Sequence, residues 1–218
     1  MKKKILIGIP AVLALALVFF GPELVDLIRL QTYLTESQEA YEANKGEWPH
    51  LTDACESCHG RNGNSLHQGY PSLAGQPESY LATQLRNFAS GQRDNPNMAP
   101  LAMTMSEEEI QLYAEFFSRQ VAKENQFFDA DPQLQEQGKR LVESGGCAGC
   151  HGTNLTGQGE FPLLAGQGYD YLLKQLDAFA SGERKDATGV MNSMVRSLSS
   201  DERKAIASYL AGLSPATN

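Results

Sequence analysis

The 218-residue chain has few cysteines, few aromatics and no excess of basic charge. Its 18 Lys and Arg are outnumbered by 26 Asp and Glu, for a formal net charge of −8 and a pI near 5.0. Binding duplex phosphate needs a cationic face, so no nucleic acid partner is expected. An acidic surface serves either solubility or an encounter with a basic protein, and both roles are open. Aromatics make up 8% of the residues, a thin supply for packing a core by side chains alone. Val and Ile are sparse, and no stretch alternates apolar and polar at period two, which argues against sheets. Long apolar runs are also scarce. The exception, Ile5 to Phe20, follows Lys2, Lys3 and Lys4.

That N-terminal segment reads as a membrane anchor or an export signal. The run ends Val18-Phe19-Phe20-Gly21-Pro22, a poor match to the small residues of a cleavage site. Cleavage after Ala16 would leave Leu17–Phe20 at a new terminus. Leu24, Val25, Leu27, Ile28 and Leu30 prolong the apolar pattern. A retained anchor over residues 1–30, continuing into a helical connector over 31–47, is favoured. Soluble export after cleavage is the alternative. The basic end should stay in the cytoplasm and the remainder should be exported.

All four cysteines lie in two copies of Cys-x-x-Cys-His: Cys55-Glu56-Ser57-Cys58-His59 and Cys147-Ala148-Gly149-Cys150-His151. This string is the signature of covalent c-type haem attachment. The two thiols form thioethers, and the histidine becomes an axial ligand of the iron. Two such groups are expected. A thioredoxin-like motif would need a β-α-β context, which the pattern does not offer. A shared zinc site would leave both histidines surplus.

The surroundings repeat at a period of about ninety-two residues. Pro71-Ser72-Leu73-Ala74-Gly75-Gln76 precedes Tyr80-Leu81, Gln84-Leu85 and Phe88-Ala89-Ser90-Gly91. Pro162-Leu163-Leu164-Ala165-Gly166-Gln167 precedes Tyr171-Leu172, Gln175-Leu176 and Phe179-Ala180-Ser181-Gly182. Two domains are expected, over 48–120 and 132–218, joined by a polar linker over 121–131. Phe127 and Phe128 in that linker should pack at the seam. Apolar spacing predicts helices over Glu78–Ala89, Gln133–Ser144 and Tyr169–Ala180. Ser106 with Glu109, and Ser199 with Glu202, form capping boxes that open two further helices.

A thioether opposite the imidazole raises an iron's potential. Met98 and Met191 each lie seven residues before the residue preceding a capping serine, so they are the expected second ligands of His59 and His151. Met103 and Met194 are the fallbacks, with core packing as their alternative role. His50 and His67 have no counterparts in the second repeat and read as surface or loop residues. The free ring nitrogen of each motif histidine needs an acceptor, and the carbonyls of Pro71 and Pro162 are placed to serve. Arg93 and Arg184 match across the repeats. They are either haem-propionate partners or plain surface charges.

These residues together resemble the cytochrome c4 family, dihaem relatives of class I cytochrome c. The resemblance runs from about Ala54 to Leu213. It implies an all-α fold of two tandem class I cytochrome c-like domains with one c-type haem each. It also implies a periplasmic electron carrier working between a quinol-cytochrome c reductase and a terminal oxidase such as a cbb3-type cytochrome c oxidase. A stably bound cytochrome subunit of a dehydrogenase or oxidase is the alternative. A dihaem peroxidase would need one open iron position, against which the paired methionines argue. Glu107, Glu108, Glu109 and Glu115 in the first repeat, against Arg184, Lys185, Arg203 and Lys204 in the second, allow different partners at the two ends; solvated helix faces explain them equally well.

Overall fold

The computed structural model describes residues 20, 21, 24, 25, 27–35 and 52–215. The chain divides into two compact units, residues 1–51 and 52–218. In the first unit, residues 27–35 are helical and expose their side chains. Most of the expected anchor, the residues 36–51 and His50 lie outside the described residues. Among the described residues no helix is long and apolar enough to cross a membrane.

The second unit holds both repeats. The first contributes α1 (Asp53–His59), a 3-10 turn (Arg61–Gly63), α2 (Glu78–Ala89), α3 (Met98–Ala102) and α4 (Glu107–Ser118). The second contributes α5 (Pro132–Ser144), α6 (Ala148–His151), α7 (Tyr169–Ser181), α8 (Val190–Arg196) and α9 (Ser200–Ala211). Beyond helices, the described residues show one isolated bridge, Gln158 to Phe161. Both capping boxes form: Ser106 accepts from the Glu109 amide and Ser199 from the Glu202 amide, with each glutamate returning the bond. Asp131 caps α5, which begins on Pro132, where a missing N–H is harmless.

Each repeat closes its own small core. Leu81, Ala82, Ile110, Ala114 and Phe117 form the first. Val142, Leu155, Leu172, Leu176, Phe179, Val195, Ile206 and Leu210 are the larger members of the second. The second is larger partly because α5 packs across α9. The Pro-x-Leu-Ala-Gly-Gln loops are pinned alike. Leu73 and Ala74 donate to the Gly63 carbonyl at 2.7 and 3.1 Å; Leu164 and Ala165 donate to the Leu155 carbonyl at 2.8 and 3.2 Å. Gly75 and Gly166 then tie these loops to α4 and α9 through the carbonyls of Phe117 and Leu210.

The two repeats interlock through those same loops. Gln76 donates to the Leu163 carbonyl at 2.8 Å and accepts from its amide at 3.0 Å. Gln167 does the same to Ser72, at 2.9 and 2.7 Å. Each glutamine therefore acts as an extra strand-like rung on the opposite loop, related by a pseudo-twofold. Truncating one leaves an N–H and a C=O without partners, buried at Leu163 and partly buried at Ser72, each worth roughly 1–3 kcal/mol. Gln76→Ala and Gln167→Ala are each expected to lower unfolding free energy by about 2 kcal/mol or more, measured by denaturant titration of the holoprotein. A loss under ~0.5 kcal/mol would show that water replaces these bonds freely.

The linker is not loose. Asn64 bonds to Val121 and Lys123, and Asn125 pairs with Gln68. Phe128 stacks on Tyr169 with ring centroids 5.3 Å apart, whereas Phe127 is exposed. Only one of the two expected seam aromatics therefore packs.

Candidate functional site

The two motifs adopt the same local geometry. Each histidine ends a short helix and is followed by a glycine in the left-handed half of φ space, Gly60 at 73° and Gly152 at 83°. A side chain at Gly60 would meet the Asn64 carbonyl at 1.9 Å, so the chain can turn back beneath the histidine only without a Cβ. His59 and His151 are both buried. His59 Nδ1 contacts the Pro71 carbonyl at 2.8 Å, and His151 Nδ1 contacts the Pro162 carbonyl at 2.9 Å. A carbonyl only accepts, so Nδ1 carries the proton and Nε2 keeps its lone pair. Burial lowers both imidazole pKa values, and the carbonyl bonds only partly oppose that. Both rings are therefore neutral at pH 7.

The His151 Nε2 atom is buried without a hydrogen-bond partner. An orphaned acceptor of this kind is costly unless something binds it. An iron taking that lone pair satisfies it. The thiols agree. None of the four cysteines is in a disulfide. Burial pushes Cys55 up, helped by Glu56, and burial pushes Cys147 up. A redox-active Cys-x-x-Cys shows the opposite, a depressed thiol. Among the described residues no cluster of three or more His, Cys, Asp or Glu forms a metal site, which removes the shared-zinc reading for them.

The methionines separate by environment. Met98 opens α3 and is half-buried; Met191 lies in α8 and packs against the second core. Met103 and Met194 are exposed, at 69% and 39%. Both helices are anchored just ahead of the half-buried methionine. The Asn95 side-chain oxygen accepts from the Met98 amide at 2.9 Å, and Asp186 accepts from the Met191 amide at 3.1 Å. Asp186 also accepts from Thr188 and Val190. Partial burial pushes its carboxyl up, but these bonds prevail and hold it below the ordinary aspartate value. Buried Asn192 adds a clamp in the second repeat, donating to the Phe179 and Arg184 carbonyls.

The arginines are not plain surface charges, one of the two roles left open by the sequence. Arg93 bonds to Gln84 in its own repeat, and to Tyr171 at 3.1 Å and Gln175 at 2.9 Å in the other. Arg184 bonds to Gln175, and across the seam to Tyr80 at 3.4 Å and Gln84 at 3.0 Å. They also lie over Phe88 and Phe179, 4.6 and 4.5 Å from the ring centroids. These acceptors are glutamine amides and tyrosine hydroxyls, none of them a carboxylate. Among the described residues no carboxylate reaches either guanidinium. Two cations sharing acceptors at a half-buried seam call for anions. Haem propionates carry that charge, so the residues fit the group. His67 is exposed, in keeping with a surface or loop residue, and sits edge-on to Tyr70.

Sequence reasoning missed the cross-repeat partners of the Gln76, Gln167, Arg93 and Arg184 side chains. Their only signal was exact recurrence of polar residues inside an otherwise apolar repeat. The contrast of charge between the two ends also weakens. Glu107 pairs with Arg86, Arg203 with Asp177 and Lys204 with Asp201, so part of that charge is already neutralised.

Residues 135–214 match the cytochrome c family model. Over 197 residues the chain is 34% identical to a thiosulfate dehydrogenase electron acceptor of Stutzerimonas stutzeri, covering 86% of this chain and 90% of that one. Over 170 residues it is 35% identical to a cytochrome c4 of Pseudomonas aeruginosa, covering 73% and 83%. The fold matches the crystal structure of reduced recombinant cytochrome c4 from Pseudomonas stutzeri with a TM-score of 0.69 and 33% identity, covering 74% and 94%. Matched paired motifs, an all-helical fold over the described residues and relatives spanning most of their own length leave one assignment: the chain belongs to the cytochrome c4 family of dihaem electron-transfer proteins and carries covalent haem c.

Proposed function

We propose that this chain passes single electrons through two haems, bound at Cys55, Cys58 and His59 and at Cys147, Cys150 and His151, with Met98 and Met191 as the second axial ligands. The haems supply one-electron chemistry at iron. The protein's part is to hold both axial positions filled, keep water off the metal and fix the two groups relative to each other. One observation carries the reading: both repeats bury the same ligand apparatus against a single interlocked seam. Arg93 and Arg184 would hold the propionates there, across what the sequence reads as two domains over 48–120 and 132–218.

The work is assigned to the periplasmic side of the bacterial inner membrane, with residues 1–30 as tether or export signal. A tether raises the effective concentration near a membrane complex. The donor is taken to be a quinol-cytochrome c reductase and the acceptor a cbb3-type oxidase. A second reading, acceptor subunit of a dehydrogenase, is favoured by the relative named a thiosulfate dehydrogenase electron acceptor. The test is purification of the full chain from membranes, with mass spectrometry and a redox titration. Two added porphyrins and two one-electron steps are expected. A single porphyrin, or high-spin ferric iron at either site, would overturn the closed-site carrier. Reduction by the quinol-oxidising complex supports the first partner assignment. Stoichiometric co-purification with a dehydrogenase replaces it with the second.

A further inference from the structure

The methionine helices differ in length, Met98–Ala102 against Val190–Arg196, yet each is tied down by a side chain shortly before its methionine, and that anchor differs in charge. Asn95 and Asp186 are separated by 91 residues, the same offset that relates Arg93 to Arg184 and Tyr80 to Tyr171. Both side chains accept from the amide of the half-buried methionine, Asn95 at 2.9 Å and Asp186 at 3.1 Å. The amide is neutral and the carboxylate is not. Resting on the reading of Met98 and Met191 as axial ligands, we propose that this shared position sets haem potential: the Asp186 carboxylate holds the second haem's reduction potential below the value an amide would allow, and Asn95 spares the first haem that depression.

The physical reason is charge. Oxidation adds one positive charge at the iron, and a negative group held against the backbone of its own ligand favours the oxidised form. Asp186 is partly buried and fixed by bonds from Thr188, Val190 and Met191, so water and salt screen it incompletely. The neighbouring residues show the opposite contrast, Asp94 in the first repeat and Lys185 in the second, but both are exposed and better screened. On the histidine side of the first site, Glu56 accepts from the Asn62 amide at 2.8 Å, where the second motif has Ala148. The order of the two potentials is thus a sum over several charges. An exchange of residues isolates the shift caused at this one position.

The experiment is a reciprocal swap in the full-length holoprotein, read by spectroelectrochemistry, with paramagnetic NMR of the methionine methyls assigning each step to its haem. Asn95→Asp preserves both acceptor contacts of Asn95, to the amides of Asn97 and Met98, and adds a charge. It is expected to displace the first haem's equilibrium toward ferric by about threefold to tenfold, up to ~59 mV for a one-electron couple, and to leave the second unchanged. Asp186→Asn is expected to move the second haem by a similar factor toward ferrous. It also loses acceptors for Thr188 and Val190, so Asn95→Asp is the cleaner arm. If both variants keep the methionine-to-iron charge-transfer band and neither potential moves, the proposal is wrong while the ligand assignment stands. If the wild-type protein lacks that band at either haem, the ligand assignment fails and takes the proposal with it.

Discussion

Replacing Met191 by histidine is expected to lower the second haem's potential by a substantial part of the roughly 0.8 V range that axial ligands span. Thioether sulfur stabilises ferrous iron, whereas a second imidazole favours ferric iron. The methionine-to-iron charge-transfer band should vanish from one haem only, and the first haem should titrate as before. Met194→His is the control. That side chain is 39% exposed, and its substitution should leave both the potential and the band in place. The distinction comes from packing as well as position. Met191 rests against the second core on a helix tied down by Asp186 and Asn192. A titration in which Met194→His abolishes the band while Met191→His retains it would reverse the assignment.

The second large effect is expected at Gly138, which belongs to neither haem motif. Here α5 crosses α9 so closely that a Cβ would stand 2.0 Å from the Ala205 carbonyl and 2.6 Å from the Tyr209 Cβ. Neither atom is the far end of a flexible side chain, so the helices must separate to admit even a methyl. The crossing is reinforced by Gln135, which donates to the Ser208 carbonyl at 2.6 Å and would be pulled away. Overpacking of a core usually costs about 1–3 kcal/mol. A clash with the α9 backbone at Ala205 and with the Tyr209 Cβ puts Gly138→Ala at ~3 kcal/mol or more. Denaturant unfolding of the holoprotein should show a clearly lower midpoint. Equal midpoints for wild type and Gly138→Ala would mean that the crossing is looser than its geometry.

Much of the chemistry was legible in the chain. Cys-x-x-Cys-His needs only local sequence, because the thiols and the imidazole must share one turn. The capping boxes at Ser106 and Ser199 are equally local, and both formed as spaced. The acceptors at Pro71 and Pro162 were placed by recurrence alone, and each lies within 2.9 Å of its histidine. The N-terminal run pointed to a membrane or an export route, but most of it falls outside the described residues.

What the tertiary structure decided was where polar side chains go once the repeats meet. Gln76, Gln167, Arg93 and Arg184 look like ordinary polar residues in sequence, since their partners lie 78 to 104 residues away. Hydrogen bonds across such separations leave no periodic trace, because they depend on how two cores dock and not on how one helix turns. The close approach at Gly138 is hidden for the same reason: a glycine inside a helix reads as a weakness until another backbone is found against it. Sequence by itself showed the two Cys-x-x-Cys-His motifs and the doubling of the unit. Docking of one copy against the other determined which charges are drawn into the seam and how the two sites are held together.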